Sequence, residues 1–135
     1  MAQNNPALDI RETLIADGVT TSISIGMEPP TPHDVITIYN TSGEAPSPKF
    51  LLDFPGLQVR SRSTDYITGY NNLLEVFNLL IGRPAFTLNT TRYTGILAMT
   101  NIFELGEDKS ARRLFACNFK LFTEAESGTQ HRKPI

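Results

Sequence analysis

One stretch of this sequence can bury its apolar residues only as a helix. Tyr66, Tyr70, Leu73, Phe77 and Leu80 recur at spacings of four, three, four and three, the repeat of one helical face. Ile67, Leu74 and Ile81 widen the stripe, while Asn71, Asn72, Glu75 and Asn78 form a wet face. Thr64 or Asp65 supplies the cap, and Gly82-Arg83-Pro84 the stop. Gly69 costs about 1 kcal/mol relative to alanine inside a helix, so a close contact is expected there. Such a helix must lay its stripe on another layer, and the rest of the chain offers mostly strands.

Ile23, Ile25 and Met27 alternate with Ser22, Ser24 and Gly26, the period of a half-buried strand. Glu28-Pro29-Pro30-Thr31-Pro32 interrupts it, because proline has no N–H to donate. Residues 35–39 resume the pattern. Residues 57–62 alternate again, Leu57 and Val59 facing one way and Gln58, Arg60 and Arg62 the other. Residues 86–89 and 93–100 form a hairpin through Asn89-Thr90-Thr91, and 114–122 is the last strand, with Phe115, Cys117, Phe119 and Leu121 on one face. Residues 106–110 read as a charged turn. Upstream, Asn5 caps a short helix with Pro6 at its first position, Ala7, Ile10 and Leu14 on its inner face, and Gly18 at its end. The expected fold is α+β: a mostly antiparallel sheet, one long helix packed across a face and a short N-terminal helix. Residues 1–123 form one domain, and 124–135 a polar, mobile tail.

The chain has 135 residues, 40% of them hydrophobic and 19% charged, enough for a core without disulfide or metal support. Its formal net charge of −2 disfavours a strongly basic nucleic-acid binder. A single cysteine excludes an internal disulfide, and no apolar run is long enough to span a membrane. The N-terminal residues do not read as a signal peptide, so an intracellularly made, soluble protein is expected. Cys117, between Phe115 and Phe119, reads as a buried thiol. His33-Asp34 follows a proline turn with no nucleophile nearby, and Glu104, Glu107 and Asp108 do not match a calcium loop. Asn40-Thr41-Ser42 and Asn89-Thr90-Thr91 match the glycosylation sequon but lack a secretion context. No catalytic residue, metal ligand or cofactor is therefore expected.

Two surfaces remain. The first is a sixteen-residue loop, 40–55, which carries Phe50, Leu51, Leu52 and Phe54 near its end; loops this long are often functional. The second is the outward pair Arg60 and Arg62, suited to a partner's carboxylates.

The ordered set Ile38-Tyr39-Asn40-Thr41-Ser42-Gly43-Glu44-Ala45-Pro46, then Val59-Arg60-Ser61-Arg62, then the 66–81 helix and Gly82-Arg83-Pro84, resembles the tailed-bacteriophage minor capsid or tail-terminator family. Tyr93-Thr94-Gly95-Ile96 and the 115–122 strand fit its remainder, so the likeness covers roughly residues 13–124. The resemblance implies a virion protein at the tail–neck junction, made in the host cytoplasm. Copies of the chain, usually six, would form a ring that caps the tail tube. The ring would meet the tail tube protein on one side and a neck, stopper or adaptor protein on the other. Genome DNA would pass through its lumen without specific binding. From surface logic rather than the resemblance, Lys49, Phe50, Leu51, Leu52 and Phe54 are expected at subunit or tube contacts, and Arg60 and Arg62 at charged contacts to a neighbour. The alternatives are a head-completion or stopper protein, a small enzyme using His33, Asp34 or Cys117, and a nucleic-acid module using Arg60, Arg62, Arg92, Arg112 and Arg113.

Overall fold

The computed structural model describes residues 5–45 and 52–124. The elements run α1 (Pro6–Ala16), β1 (Ser22–Ile25), β2 (Val35–Glu44), β3 (Leu52–Ser63), α2 (Tyr66–Leu80), β4 (Phe86–Leu88), β5 (Thr91–Ala98), β6 (Phe103–Glu107) and β7 (Arg113–Glu124). They build one sheet in the order β1-β2-β3-β7-β5-β4, with β6 also paired to β7. The sheet is mixed: β1 runs parallel to β2, and the other pairs are antiparallel. The class is α+β, as the sequence predicts. The expected polar tail lies outside the described residues, except Glu124, which ends β7.

Both helices lie on one face. α1 meets β1, β2 and β3, and α2 meets β3 and β7. The core between the layers joins Ile10 and Leu14 to Ile23, Ile36, Ile38, Leu57 and Val59, and Leu73, Val76 and Leu80 to Phe115, Cys117, Phe119 and Leu121. The α2 stripe is rotated from the expected one. Gly69, Leu73, Val76 and Leu80 point inward, whereas Tyr66, Ile67, Tyr70 and Ile81 are exposed. Gly69 explains the rotation. A Cβ there would stand 3.2 Å from both Phe115 Cε2 and Ser63 Cβ, and its carbonyl accepts a 2.8 Å bond from Ser61 Oγ. The helix touches the sheet at its glycine, and Tyr66 and Tyr70 straddle that contact, edge-on to Phe115 at 5.1 and 5.9 Å.

Among the described residues of the expected loop over 40–55, most are strand. Asn40 pairs with Leu57, Thr41 with Gly56 and Glu44 with Phe54. The residues that read as turn chemistry, Thr41-Ser42-Gly43, form a bulge inside the ladder, with Gly43 at φ +55°. The expected charged turn at 106–110 is also corrected: Gly106 and Glu107 belong to β6, and the turn to β7 runs through Asp108 to Arg112. β5 and β6 lie in succession along the same edge of β7, so together they act as one interrupted strand.

Candidate functional site

Alternation along β3 sends Ser61 to the helices and Arg60 and Arg62 to the opposite face. That face is not open. β1 and β2 are parallel neighbours joined by only the nine residues 26–34, too few for the usual helical crossover. The segment, with Pro29, Pro30 and Pro32, instead crosses the sheet as an irregular, bent strap. Arg62 secures it, donating from Nη2 to Pro32 O (2.7 Å) and from Nε to His33 O (3.2 Å). Arg112, from the β6–β7 turn, donates from Nη1 to Pro30 O (2.7 Å). Ser63 Oγ donates to Asp34 Oδ1 at 2.7 Å. Arg62 points to the outer face as its alternation requires, but it is only 3% exposed, because the strap covers it. Burial, then the nearby charge of Arg112, lowers its pKa.

Arg60 is half-buried. Its Nη2 lies 3.3 Å from Glu28 Oε1, and its guanidinium stands 5.6 Å from the centre of the Tyr39 ring. Burial, then Glu28, pushes the Tyr39 hydroxyl above its ordinary pKa. Asp108 organises the β6–β7 turn. Its Oδ1 accepts from the backbone N–H of Ser110 and Arg112, both at 2.9 Å, and its Oδ2 from Arg112 Nε at 2.8 Å. Those bonds hold its carboxyl below the usual range against the opposing effect of burial. Sequence reasoning missed Glu28, Asp108 and Arg112 as parts of this face. Nothing local marks them, because the strap and the turn meet only in three dimensions.

The other expected surface, in the 40–55 segment, lies at the far end of the same sheet. Lys49, Phe50 and Leu51 fall outside the described residues. Leu52 and Phe54 are half-buried in β3, opposite Glu124 and Glu44 respectively. Phe54 meets Phe122 edge-on at 5.6 Å. Lys120 Nζ stands 5.3 and 5.4 Å from the two ring centres and 2.5 Å from Glu44 Oε1. Two aromatic rings, a cation and a carboxylate are thus gathered there, with Leu97 on neighbouring β5 exposed.

The candidates for catalysis do not converge. Cys117 is fully buried, and burial pushes its thiol up to about 12. The His33 carbonyl and the Asp34 carboxylate are engaged with Arg62 and Ser63. Glu104 accepts from the Tyr66 hydroxyl, Glu107 pairs with Arg113 at 3.1 Å, and Asp108 pairs with Arg112. Among the described residues no three His, Cys, Asp or Glu side chains cluster to hold a metal, and no helix is long and apolar enough to cross a membrane.

A family model described as bacteriophage tail terminator protein matches residues 8–124. Among solved structures, a chain from the virion of a native gene transfer agent particle is similar in fold, with a TM-score of 0.66, 15% sequence identity, and coverage of 89% of this chain and 95% of that one. No curated protein sequence matches the chain.

Proposed function

The chain belongs to the bacteriophage tail terminator family, and from that premise we propose that it forms a ring, of six copies, that caps the finished tail tube and joins the tail to the neck. The family makes it a structural protein of the phage virion that serves in tail completion. The finer reading places the ring at the tail–neck junction, after assembly in the host cytoplasm, with genome DNA passing through its lumen. The observation that carries the reading is the span of the family match, which runs from inside α1 to the last residue of β7. The slightly acidic balance of the chain favours it too, since a basic lumen would hold DNA electrostatically.

A ring needs two different surfaces of one subunit to meet head to tail. We assign these to the two ends of the strapped face. Leu52 and Phe54, with Lys49, Phe50 and Leu51 just before them in sequence, are the apolar contact to a neighbouring subunit or the tube. Arg60, with Arg62 behind it under the strap, belongs to the charged surface that a neighbour meets. The reading takes residues 1–123 as one domain, followed by a polar tail.

The test is the mass of the purified protein with and without assembled tail tubes, followed by electron microscopy of the mixture. A ring at one end of the tube is the expected result. A protein that stays monomeric and ignores the tube overturns the terminator reading. Alanine at Leu52 and Phe54 is expected to weaken capping and lengthen tails, and unchanged tail length would remove those residues from the contact.

A further inference from the structure

Between the strap and the β6–β7 turn lies a cavity of about 270 Å³, lined by Glu28, Arg62, Asp108, Lys109, Ser110 and Arg112 among others. Two of these, Arg62 and Arg112, are 3% and 8% exposed. Each uses two of its three guanidinium nitrogens within the fold. Arg62 uses Nε and Nη2 on the His33 and Pro32 carbonyls, and Arg112 uses Nε and Nη1 on Asp108 and the Pro30 carbonyl. The described bonds leave Arg62 Nη1 and Arg112 Nη2 without an acceptor.

The charges are unevenly matched. Glu28 is engaged with Arg60, and Asp108 with Arg112 and two backbone N–H groups. Among the described residues no carboxylate comes within ion-pair distance of Arg62. A nearly buried cation bonded only to carbonyl oxygens, beside a second cation, has Glu28 and Asp108 in its surroundings but neither as an ion-pair partner, and burial and Arg112 outweigh them. Lys109, exposed at the turn, adds a third positive charge to the rim.

We propose that this cavity is a socket for one carboxylate side chain, a glutamate or aspartate presented by another protein chain, received between Arg62 and Arg112 with Lys109 at the mouth. One free guanidinium nitrogen from each arginine suits a carboxylate's two oxygens. Three cations against two carboxylates leave the lining at +1, which matches a carboxylate. A phosphate, nearer −2, would face Glu28 and Asp108 with charge to spare. The socket itself stands on this geometry, while the source of the carboxylate, a neighbouring chain of the tail or neck, rests on the virion reading.

The test uses the full chain labelled with ¹⁵N and follows the arginine Nε–Hε signals by NMR. The probes are N-acetylglutamate N-methylamide, its neutral glutamine counterpart and inorganic phosphate, all at matched ionic strength. The expected result is a saturable shift of the Arg62 and Arg112 signals with the glutamate probe. Phosphate should half-saturate at a several-fold higher concentration, and the glutamine probe should not saturate. Lys109→Glu, at an exposed position that leaves the strap contacts intact, should weaken the glutamate probe tenfold or more. Arg62→Ala should abolish the shift of Arg112. A glutamate response no different from that of the glutamine probe, or unchanged affinity in Lys109→Glu, overturns the socket. Tighter binding of phosphate overturns its assignment to a carboxylate. Because the probe is a small molecule, failure here is distinct from failure of ring assembly at the tube.

Discussion

Two glycines with nearly the same backbone strain sit in very different surroundings, and replacing each by alanine separates strain from crowding. Gly43 has φ +55° and Gly82 φ +68°, so a Cβ at either position costs about 1–2 kcal/mol for the left-handed conformation. At Gly82 nothing lies within 4 Å of the added atom, so the cost ends there. At Gly43 the Cβ would fall 2.1 Å from Phe54 O, 2.6 Å from Gly56 N and 2.8 Å from Pro55 C. Those atoms are backbone of the paired strand and cannot rotate aside. Relief requires the β2–β3 ladder to separate locally, and overpacking of this kind adds about 1–3 kcal/mol. The expected totals are about 1–2 kcal/mol for Gly82→Ala and about 2–5 kcal/mol for Gly43→Ala. With a urea slope of about 1–3 kcal/mol/M, the two midpoints should differ by roughly 1 M, Gly43→Ala being the lower. Equilibrium urea unfolding followed by circular dichroism measures this directly. Equal midpoints would refute the reasoning, because they would show that the bulge relaxes without opening the pair.

Cys117 predicts a pH effect. An unfolded thiol ionises near 9.0, whereas the folded one is raised to about 12, so between these values the folded state keeps a proton that the unfolded state loses. Stability therefore falls as pH rises above 9, by up to about 1.4 kcal/mol per unit, and Cys117→Ala should show a shallower decline in urea midpoints between pH 8 and 10.5. Tyr93→Phe removes the donor to the buried Asp9 carboxylate, which Asn89 Nδ2 alone then serves among the described bonds; the expected loss is about 1–3 kcal/mol in the same unfolding assay. Arg62→Ala releases the strap, so hydrogen exchange in 26–34 should quicken tenfold or more, including at Gly26 N–H, now bonded to Ile38 O at 2.9 Å, while β5 and β7 keep their protection. Arg83→Ala loses the 2.6 Å pair with Asp17 and the stacking over Phe86. That pair is partly exposed, so a cost of only about 0.5–1.5 kcal/mol is expected from thermal unfolding.

Periodicity was legible wherever one face alone is buried. Phe115, Cys117, Phe119 and Leu121 all face the core as their alternation requires, and the close approach expected at Gly69 is present. The α2 stripe was misplaced because a glycine, which carries no hydrophobic signal, lies on its centre line. The β2–β3 pairing was hidden because Asn40, Thr41, Ser42 and Gly43 have turn preferences, yet a single left-handed glycine suffices to fold them into a bulged ladder. β6 was missed because Glu104, Leu105, Gly106 and Glu107 are exposed on an edge and show little of the alternation that burial imposes. On the strapped face, Arg60 and Arg62 were legible as a pair sharing one side of a strand. Their unequal burial was not, since it depends on where a proline segment 30 residues upstream of Arg62 lies.

The strap has a consequence for how the chain is made. Its Pro30 carbonyl is caught by Arg112, 82 residues downstream, and α1 is tied through Asp9 to Asn89 and Tyr93, 80 and 84 residues downstream. On the ribosome, the first third of the protein therefore emerges with its fastenings still untranslated. Contacts this distant in sequence form slowly, because a long stretch of chain must first close into a loop. The N-terminal segment must wait, exposed, until the residues some eighty positions downstream that fasten it have emerged.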